Sequence, residues 1–223
     1  MAPVIRYLHN DINSANVVWK TLSKRDKFHL CGGNVPAVKD EYMYDPNGDF
    51  ATKWIHNDFG FIVTMTIDKK PVGFVDCFRH WDNKQNDYTD RAEISFAVSP
   101  EYRGRGIATK LVKYAMNMIK RDPSYQIIEW YFTTDNKGSE ALAKKFGFEP
   151  TGISPNPRDK FTKLQRYIYA KNKALMKSVQ IWYKQGLFEE LGYYDFLLKW
   201  LKREIDITLI AYKYKQMKDN ATK

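Results

Sequence analysis

SPEYRGRGIATKL, residues 99–111, passes from the end of a strand through a proline and a glycine-rich turn into a helix. Gly104 and Gly106 let the backbone bend where a Cβ would clash. The amides of residues 104–108 then stand at a helix N-terminus. There they lack carbonyl partners within the helix and face outward with the positive end of its dipole. Arg103 and Arg105 add charge. Together these groups form an anion site suited to a pyrophosphate. A Walker loop would need Gly-Lys-Ser/Thr, and a dinucleotide-binding turn would need a third glycine. Neither is present.

Outward from this turn the chain alternates between strand and helix. Upstream, residues 93–98 (EISFAV) read as a strand ended by Pro100. Residues 61–67 and 72–78 read as a hairpin around residues 68–70, with a polar loop over 80–91. A helix is predicted over 11–22, capped by Asp11 or Ser14 and preceded by a strand over 4–8. Residues 31–50, rich in Gly, Pro and Asn, suggest a loop around a short helix. Downstream, Ile107, Leu111, Ala115 and Met118 share one face of a helix over 107–120. Residues 127–133 are β-branched and aromatic, hence a strand. Residues 139–146 form a helix stopped by Gly147, and residues 165–170 close the sheet. Antiparallel strands with late helices predict an α+β domain over residues 1–171. Residues 172–223 change character. Leu175, Val179, Trp182 and Tyr183 suit one amphipathic helix; Tyr194, Leu197, Leu198, Leu201 and Ile205 suit a second, with a strand over 205–214 as the alternative.

Composition narrows the class. Hydrophobic residues make up 43% of the 223, enough to bury a core. No run approaches the roughly eighteen apolar residues that span a bilayer, and residues 1–11 lack the pattern of a secretory signal. Cys31 and Cys77 are far apart, and the four histidines are scattered without metal-ligand spacing. A reduced, cytoplasmic, metal-free protein is expected, with no membrane contact. The net charge of +10 is uneven: residues 158–223 hold 15 Lys and Arg against 7 Asp and Glu. That basic segment, with nine aromatics between Trp182 and Tyr214, suggests an acidic protein or nucleic acid as partner. The plainer alternative is a solvated lysine face over apolar residues that pack on the core or across a homodimer.

Val98-x-Pro100-x-x-Arg103-Gly104-x-Gly106-Ile107-Ala108 resembles the acetyl-CoA loop of the GNAT superfamily of N-acetyltransferases, whose core is Gln/Arg-x-x-Gly-x-Gly/Ala. Twenty-eight residues after Ala108, Asn136-x-x-Ser139-x-x-Leu142-x-x-Lys145-x-Gly147-Phe148 resembles the second motif of that superfamily, in the expected order. The resemblance implies a mixed, mostly antiparallel sheet flanked by helices, with a C-terminal helical extension here, and acetyl-CoA as co-substrate. It implies that the backbone at Ala97 and Val98 pairs with the pantetheine arm. Arg103, Gly104, Arg105, Gly106, Ile107, Ala108 and Thr109 would cradle the pyrophosphate, and Asn136 would bond the pantetheine end. Acceptor choice would lie in the loops over residues 23–58 and 153–164.

Direct transfer needs a neutral amine, a stabilised acetyl oxygen and a proton for the departing thiolate. A lysine amine titrates near ~10.4 and is almost all charged at neutral pH, whereas an α-amine near ~7.8 is partly neutral. Glu93, in the strand before the loop, is the candidate base, acting through water. Asp76 and Glu129 in neighbouring strands are further carboxylates, with a solvent-facing or salt-bridged role as the alternative. By resemblance, the backbone amide near Val98 would stabilise the oxygen. Many GNAT enzymes have a tyrosine seven residues after the asparagine; this chain has Ala143. The motif is instead similar to the branch that acetylates ribosomal-protein N-termini, which implies Ser139 beside the thiol. A helix cap is the structural alternative for Ser139, and Tyr131 and Tyr125 are other possible proton donors. Three functions follow: acetylation of a protein or peptide amine, acetylation of an amine carried by nucleic acid such as charged tRNA or a modified base, or a GNAT-like domain that only binds.

Overall fold

The computed structural model describes residues 3–30, 44–48, 51, 59–82, 86–156 and 159–184. Contacts divide the chain into two compact units, Met1–Tyr169 and Ala170–Lys223.

Seven strands form one sheet in the order β1-β2-β3-β4-β5-β7-β6. They are β1 Ile5–His9, β2 Gly60–Ile67, β3 Lys70–Asp82, β4 Asp87–Val98, β5 Ile127–Thr133, β6 Glu149–Asn156 and β7 Asp159–Ala170. The described pairings are antiparallel except for β4 with β5, which is parallel. The β2–β3 hairpin closes on Asp68 and Lys69, both left-handed at φ 49° and 67°. Such a turn matches the right-handed twist of the flanking strands. The Asp68 carboxylate accepts from the Val4 amide at 2.9 Å, which fastens β1 to the turn.

Two segments expected as loops are strands. Across residues 80–91, β3 and β4 continue to pair through Trp81↔Tyr88 and Asp82↔Asp87. The Arg79 guanidinium lies 5.3 Å over the Tyr88 ring. Ladder hydrogen bonds and cross-strand contacts outweigh the polar composition there. The expected loop over 153–164 is taken up by the end of β6, through Asn156, and the start of β7, from Asp159. β6 carries Pro150 and Pro155, and its place at the sheet edge removes the need for every amide to find a partner strand.

Alternate side chains of the central strands feed two cores. Val63, Val75, Cys77, Ile94, Ile128 and Trp130 lie in one, with helices α3 (Ile107–Arg121) and α4 (Lys137–Lys145). Ile62, Phe74 and Ala97 lie in the other, beside Ile12, Ala15, Val18 and Trp19 of α1 (Ile12–Thr21). Asp11 is the α1 cap, accepting from the Ser14 amide at 3.1 Å. The buried stripe of α3 is Ile107, Leu111, Val112, Ala115, Met116 and Ile119, with Met118 at its flank. A second short helix, α2 (Lys24–Leu30), contacts β4 and β5. The observed architecture is α+β, with a mixed, mostly antiparallel sheet flanked by helices.

In the second unit, helix α5 (Lys173–Lys184) carries the buried Leu175 and Met176. The helix expected over residues 194–205, the alternative strand over 205–214 and most of the expected 31–50 loop lie outside the described residues. Among the described residues no helix is long and apolar enough to cross a membrane, and no group of three or more His, Cys, Asp or Glu is placed to hold a metal ion.

Candidate active site

β4 and β5 pair only over Arg91–Glu93 and Ile127–Glu129. Beyond Glu93, β4 runs on to Val98 beside β3, through pairs such as Phe74↔Ala97 and Gly73↔Val98. β5 runs on separately to Thr133, and the two strands part. A cavity of about 530 Å³ fills the fork. Eleven of the twelve residues picked from sequence for the cofactor or the chemistry line its walls as side chain or backbone: Glu93, Ala97, Val98, Arg103, Gly104, Gly106, Ile107, Ala108, Thr109, Asn136 and Ser139. Arg105 does not; its guanidinium lies 5.3 Å over the Tyr102 ring.

The glycine-rich turn has the geometry that its sequence demands. Gly104 and Gly106 are left-handed at φ 75° and 74°. A Cβ on either would meet nothing within 4 Å, so backbone conformation and not crowding calls for glycine. Gly106 caps α3, and the first helical bond runs from Lys110 N to Gly106 O at 3.1 Å. The amides of Ile107, Ala108 and Thr109 therefore have no carbonyl partner within the helix, and the helix dipole adds partial positive charge.

Arg103 departs from the simple picture of a phosphate ligand. Its guanidinium lies 2.9 Å from the Asp26 carboxylate, and its Nε donates to the Val98 carbonyl at 3.2 Å. Burial alone would raise the Asp26 pKa; hydrogen bonds from Arg103 and Ser23 outweigh it and hold the carboxyl below its ordinary value. The same helix is tied to the far wall of the fork. His29 Nδ1 lies 2.8 Å from Thr133 Oγ1, and Arg25 pairs with Asp135 at 3.2 Å. α2 thus bridges the two sides of the opening. This role of Asp26 and His29 is not legible in the sequence, because their partners Arg103 and Thr133 are distant along the chain.

At the second motif, the Asn136 carbonyl oxygen accepts from the Ser139 amide at 3.1 Å and caps α4. Ser139 is therefore the third residue of the helix and not its cap, and it faces the cavity. Ala143 is fully buried in the first core, so the position that often holds tyrosine does not open on the fork.

The carboxylates lie together on the face that α1 and α2 cover. Glu93 stands at the crotch of the fork, the last residue of β4 to pair with β5, opposite Glu129. Glu129 is fully buried, 2.6 Å from the Arg91 guanidinium and 3.4 Å from His80. Burial pushes its pKa up, but Arg91 and His80 overcome this and hold it well below the usual carboxylate range. Tyr131 lines the cavity and donates to Glu129 at 3.0 Å. Burial, then the Glu129 charge, pushes its phenol well above the ordinary value, which makes Tyr131 a poor acid. Tyr125 is buried edge-on to Phe61 and does not line this cavity. Asp76 is fully buried and accepts from Tyr44 Oη at 2.6 Å and Ser95 Oγ at 2.7 Å. Burial lifts its pKa to about 7 despite both hydrogen bonds. Neither Asp76 nor Glu129 faces solvent. Ser95, which sequence reasoning passed over, lines the cavity two residues beyond Glu93; its period-two spacing on β4 was the available signal.

Residues 25–148 match the model of the GNAT acetyltransferase family. The chain belongs to that family. It is 36% identical over 115 residues to an uncharacterized N-acetyltransferase of Methanocaldococcus jannaschii, across 49% of this chain and 50% of that protein. The chain thus spans about half the length of the curated relative it matches. A Salmonella typhimurium structure with its cofactor acetyl-CoA superposes with a TM-score of 0.57 at 16% identity, covering 78% of this chain and 96% of the other. A second, the Salmonella typhimurium acetyltransferase that modifies the N-terminal serine of ribosomal protein L7/L12, gives 0.55 at 11% identity over 76% and 96%. Both are likenesses of fold. The GNAT fork fits a coenzyme A thioester on its own geometry: unpaired helix-start amides at one end suit a diphosphate, and the diverging edge of β4 leads inward to Glu93.

Proposed function

We propose that this GNAT chain transfers an acetyl group from acetyl-CoA directly to an amine of a protein or peptide. The observation that carries the reading is the fork itself, in which an anion cradle and a carboxylate-bearing sheet face meet in one cavity. Acetyl-CoA supplies the activated acetyl group. The amides of Ile107, Ala108 and Thr109 hold the diphosphate, helped by the α3 dipole. The backbone of Ala97 and Val98 orients the pantetheine amides as an added strand would, and the Val98 amide polarises the acetyl carbonyl. The Asn136 carbonyl oxygen is committed to the α4 cap, which leaves its Nδ2 to donate to the pantetheine end. Glu93 takes a proton from the incoming amine through water, and the Ser139 hydroxyl gives one to the departing sulfur while taking one from water, so that no alkoxide is left. The fold shared with an enzyme that modifies an N-terminal serine is consistent with a protein amine as acceptor.

Gly106→Glu tests the cradle. It places a negative side chain beside the amides meant for the diphosphate, at a left-handed residue. Calorimetry should show acetyl-CoA affinity lost while circular dichroism shows the fold retained. Affinity equal to the parent's would remove the basis for the assignment.

A further inference from the structure

Beside Glu93, the same face of the fork holds a hydroxyl backed by a buried acid. Ser95 lines the cavity, and its Oγ donates to Asp76 Oδ1 at 2.7 Å. The two residues are direct partners in the β3–β4 ladder, so the sheet fixes their approach. Asp76 is fully buried, and its second oxygen accepts from Tyr44 at 2.6 Å. Asp76 is not among the described residues that line the cavity; Ser95 stands between them.

Acetylation of an ammonium group takes two protons from one nitrogen. One ends on the thiol sulfur and the other in solvent. Glu93 offers one acceptor. We propose that Ser95 is a second catalytic residue of the fork, taking a proton from the acceptor nitrogen at Oγ while passing its own proton to Asp76 Oδ1. An N–H bond breaks as an O–H bond forms on Ser95, and the earlier Ser95 O–H bond breaks as one forms on Asp76. The charge of the nitrogen falls by one, the carboxylate is neutralised, and no oxidation occurs. After product leaves, the proton returns to the cavity by the same route. The proposal rests on the acetyltransferase reading above.

Asp76 acts through Ser95 and is a positioning residue. Its burial tunes it for the role, since a carboxyl at about 7 can accept and release a proton near neutral pH. The groups that face it are Tyr44 and Ser95. On the elements packed over that face, α1 contributes the buried Asn16, which donates to the Tyr44 carbonyl. α2 contributes the buried Lys27, its ammonium 5.0 Å over the Trp19 ring. β2 contributes the apolar Ile62 opposite Asp76. The adjacent Cys77 is fully buried, with burial pushing its thiol up, so it stays protonated.

The test compares the parent with Ser95→Ala, Ser95→Thr, Asp76→Asn and Tyr44→Phe. Each is assayed with labelled acetyl-CoA and a peptide panel that presents every N-terminal residue and an internal lysine, across the range from about pH 5.5 to 9, alongside calorimetry of acetyl-CoA binding. Ser95→Ala and Asp76→Asn should each lower kcat by ~10–100-fold at unchanged acetyl-CoA affinity, the order expected for a positioned proton acceptor. Both should lose the acidic limb of the kcat profile near pH 7, and Ser95→Thr should restore the rate. Tyr44→Phe removes a bond that holds the Asp76 pKa down, so its acidic limb should move to higher pH. A purely structural role would leave that limb where it was. Variants that keep the parent's kcat and limb, or an unmoved limb in Tyr44→Phe, overturn the relay and leave transfer through Glu93 standing. A parent that labels no peptide overturns the acetyltransferase reading together with the relay.

Discussion

Replacing Arg91 with leucine should unmask the cost of burying Glu129. The Glu129 carboxylate is fully buried where β4 and β5 last pair, with the Arg91 guanidinium 2.6 Å away. Arg91 is itself only 14% exposed, so solvent screens the pair weakly. Removal of one partner from such a pair typically costs ~3–5 kcal/mol, because the other charge is left in a poor solvent. For a unit of this size each kcal/mol lowers Tm by ~2–4 °C, so Arg91→Leu should lose roughly 6–20 °C.

The pH dependence carries the diagnosis. In the parent, Glu129 titrates well below its unfolded value, so its contribution to stability is present above that value and lost as pH falls through the folded pKa. Without the guanidinium, His80 at 3.4 Å is the cation that remains, and burial, the largest single influence on this carboxyl, carries the folded pKa above the unfolded one. The folded variant then binds a proton that the unfolded chain does not, and acidification from about pH 7 to 5 helps it. The gap between parent and variant should therefore narrow toward pH 5. Removing both charges, as Arg91→Leu with Glu129→Leu, should recover most of the loss, because neither partner is stranded. Urea unfolding of the parent, both single variants and the double variant at pH 5 and pH 8 measures all of this. Equal destabilisation at both pH values, or a double variant as unstable as Arg91→Leu, would refute the reasoning.

Two further outcomes are expected. Asp76 has a folded pKa raised from 3.8 to about 7, so parent stability should fall as pH rises between those values, by roughly 4 kcal/mol at 1.36 kcal/mol per unit, and Asp76→Asn should flatten that slope in urea unfolding. The basic segment beyond residue 157, most of it outside the described residues, is proposed to recruit the acceptor. Replacing Lys199, Lys202 and Arg203 with Gln should leave acetyl-CoA affinity unchanged. It should also raise the acceptor's KM, and where the segment meets phosphates it should reduce the salt slope of duplex or tRNA binding, by ~0.9 log unit per tenfold salt for each lost duplex phosphate contact; an unchanged KM with salt-insensitive binding equal to the parent's would contradict that role.

What the sequence disclosed follows from how local the responsible physics is. The anion cradle is built from contiguous backbone: two left-handed glycines and the first amides of α3 are legible in residues 99–111 without knowing any tertiary contact. The Asn136 cap and the Asp68–Lys69 turn are legible for the same reason. β6 was hidden because its prolines signal a loop unless the strand is known to lie at an edge. Arg103 was read as a phosphate ligand because its charge is visible in sequence, whereas Asp26, which holds it, lies on another element.

The candidate acid–base groups belong to the opposite class. Glu93, Ser95, Asp76 and Glu129 come from three strands, and only register brings them to one face of the sheet. A slip of one residue between β3 and β4 would turn Ser95 away from Asp76 and present an apolar neighbour, since side chains alternate. That register is not written in the hairpin's polar sequence. It shifts between Arg79 and Trp81, at an irregularity that composition does not announce, and is straight again by Phe78↔Glu93. The fork has the same origin, because it begins where the parallel β4–β5 ladder ends after three pairs. A cofactor cradle can therefore be read from a dozen residues, whereas the side chains that move protons beside it depend on the register of strands far apart in the chain.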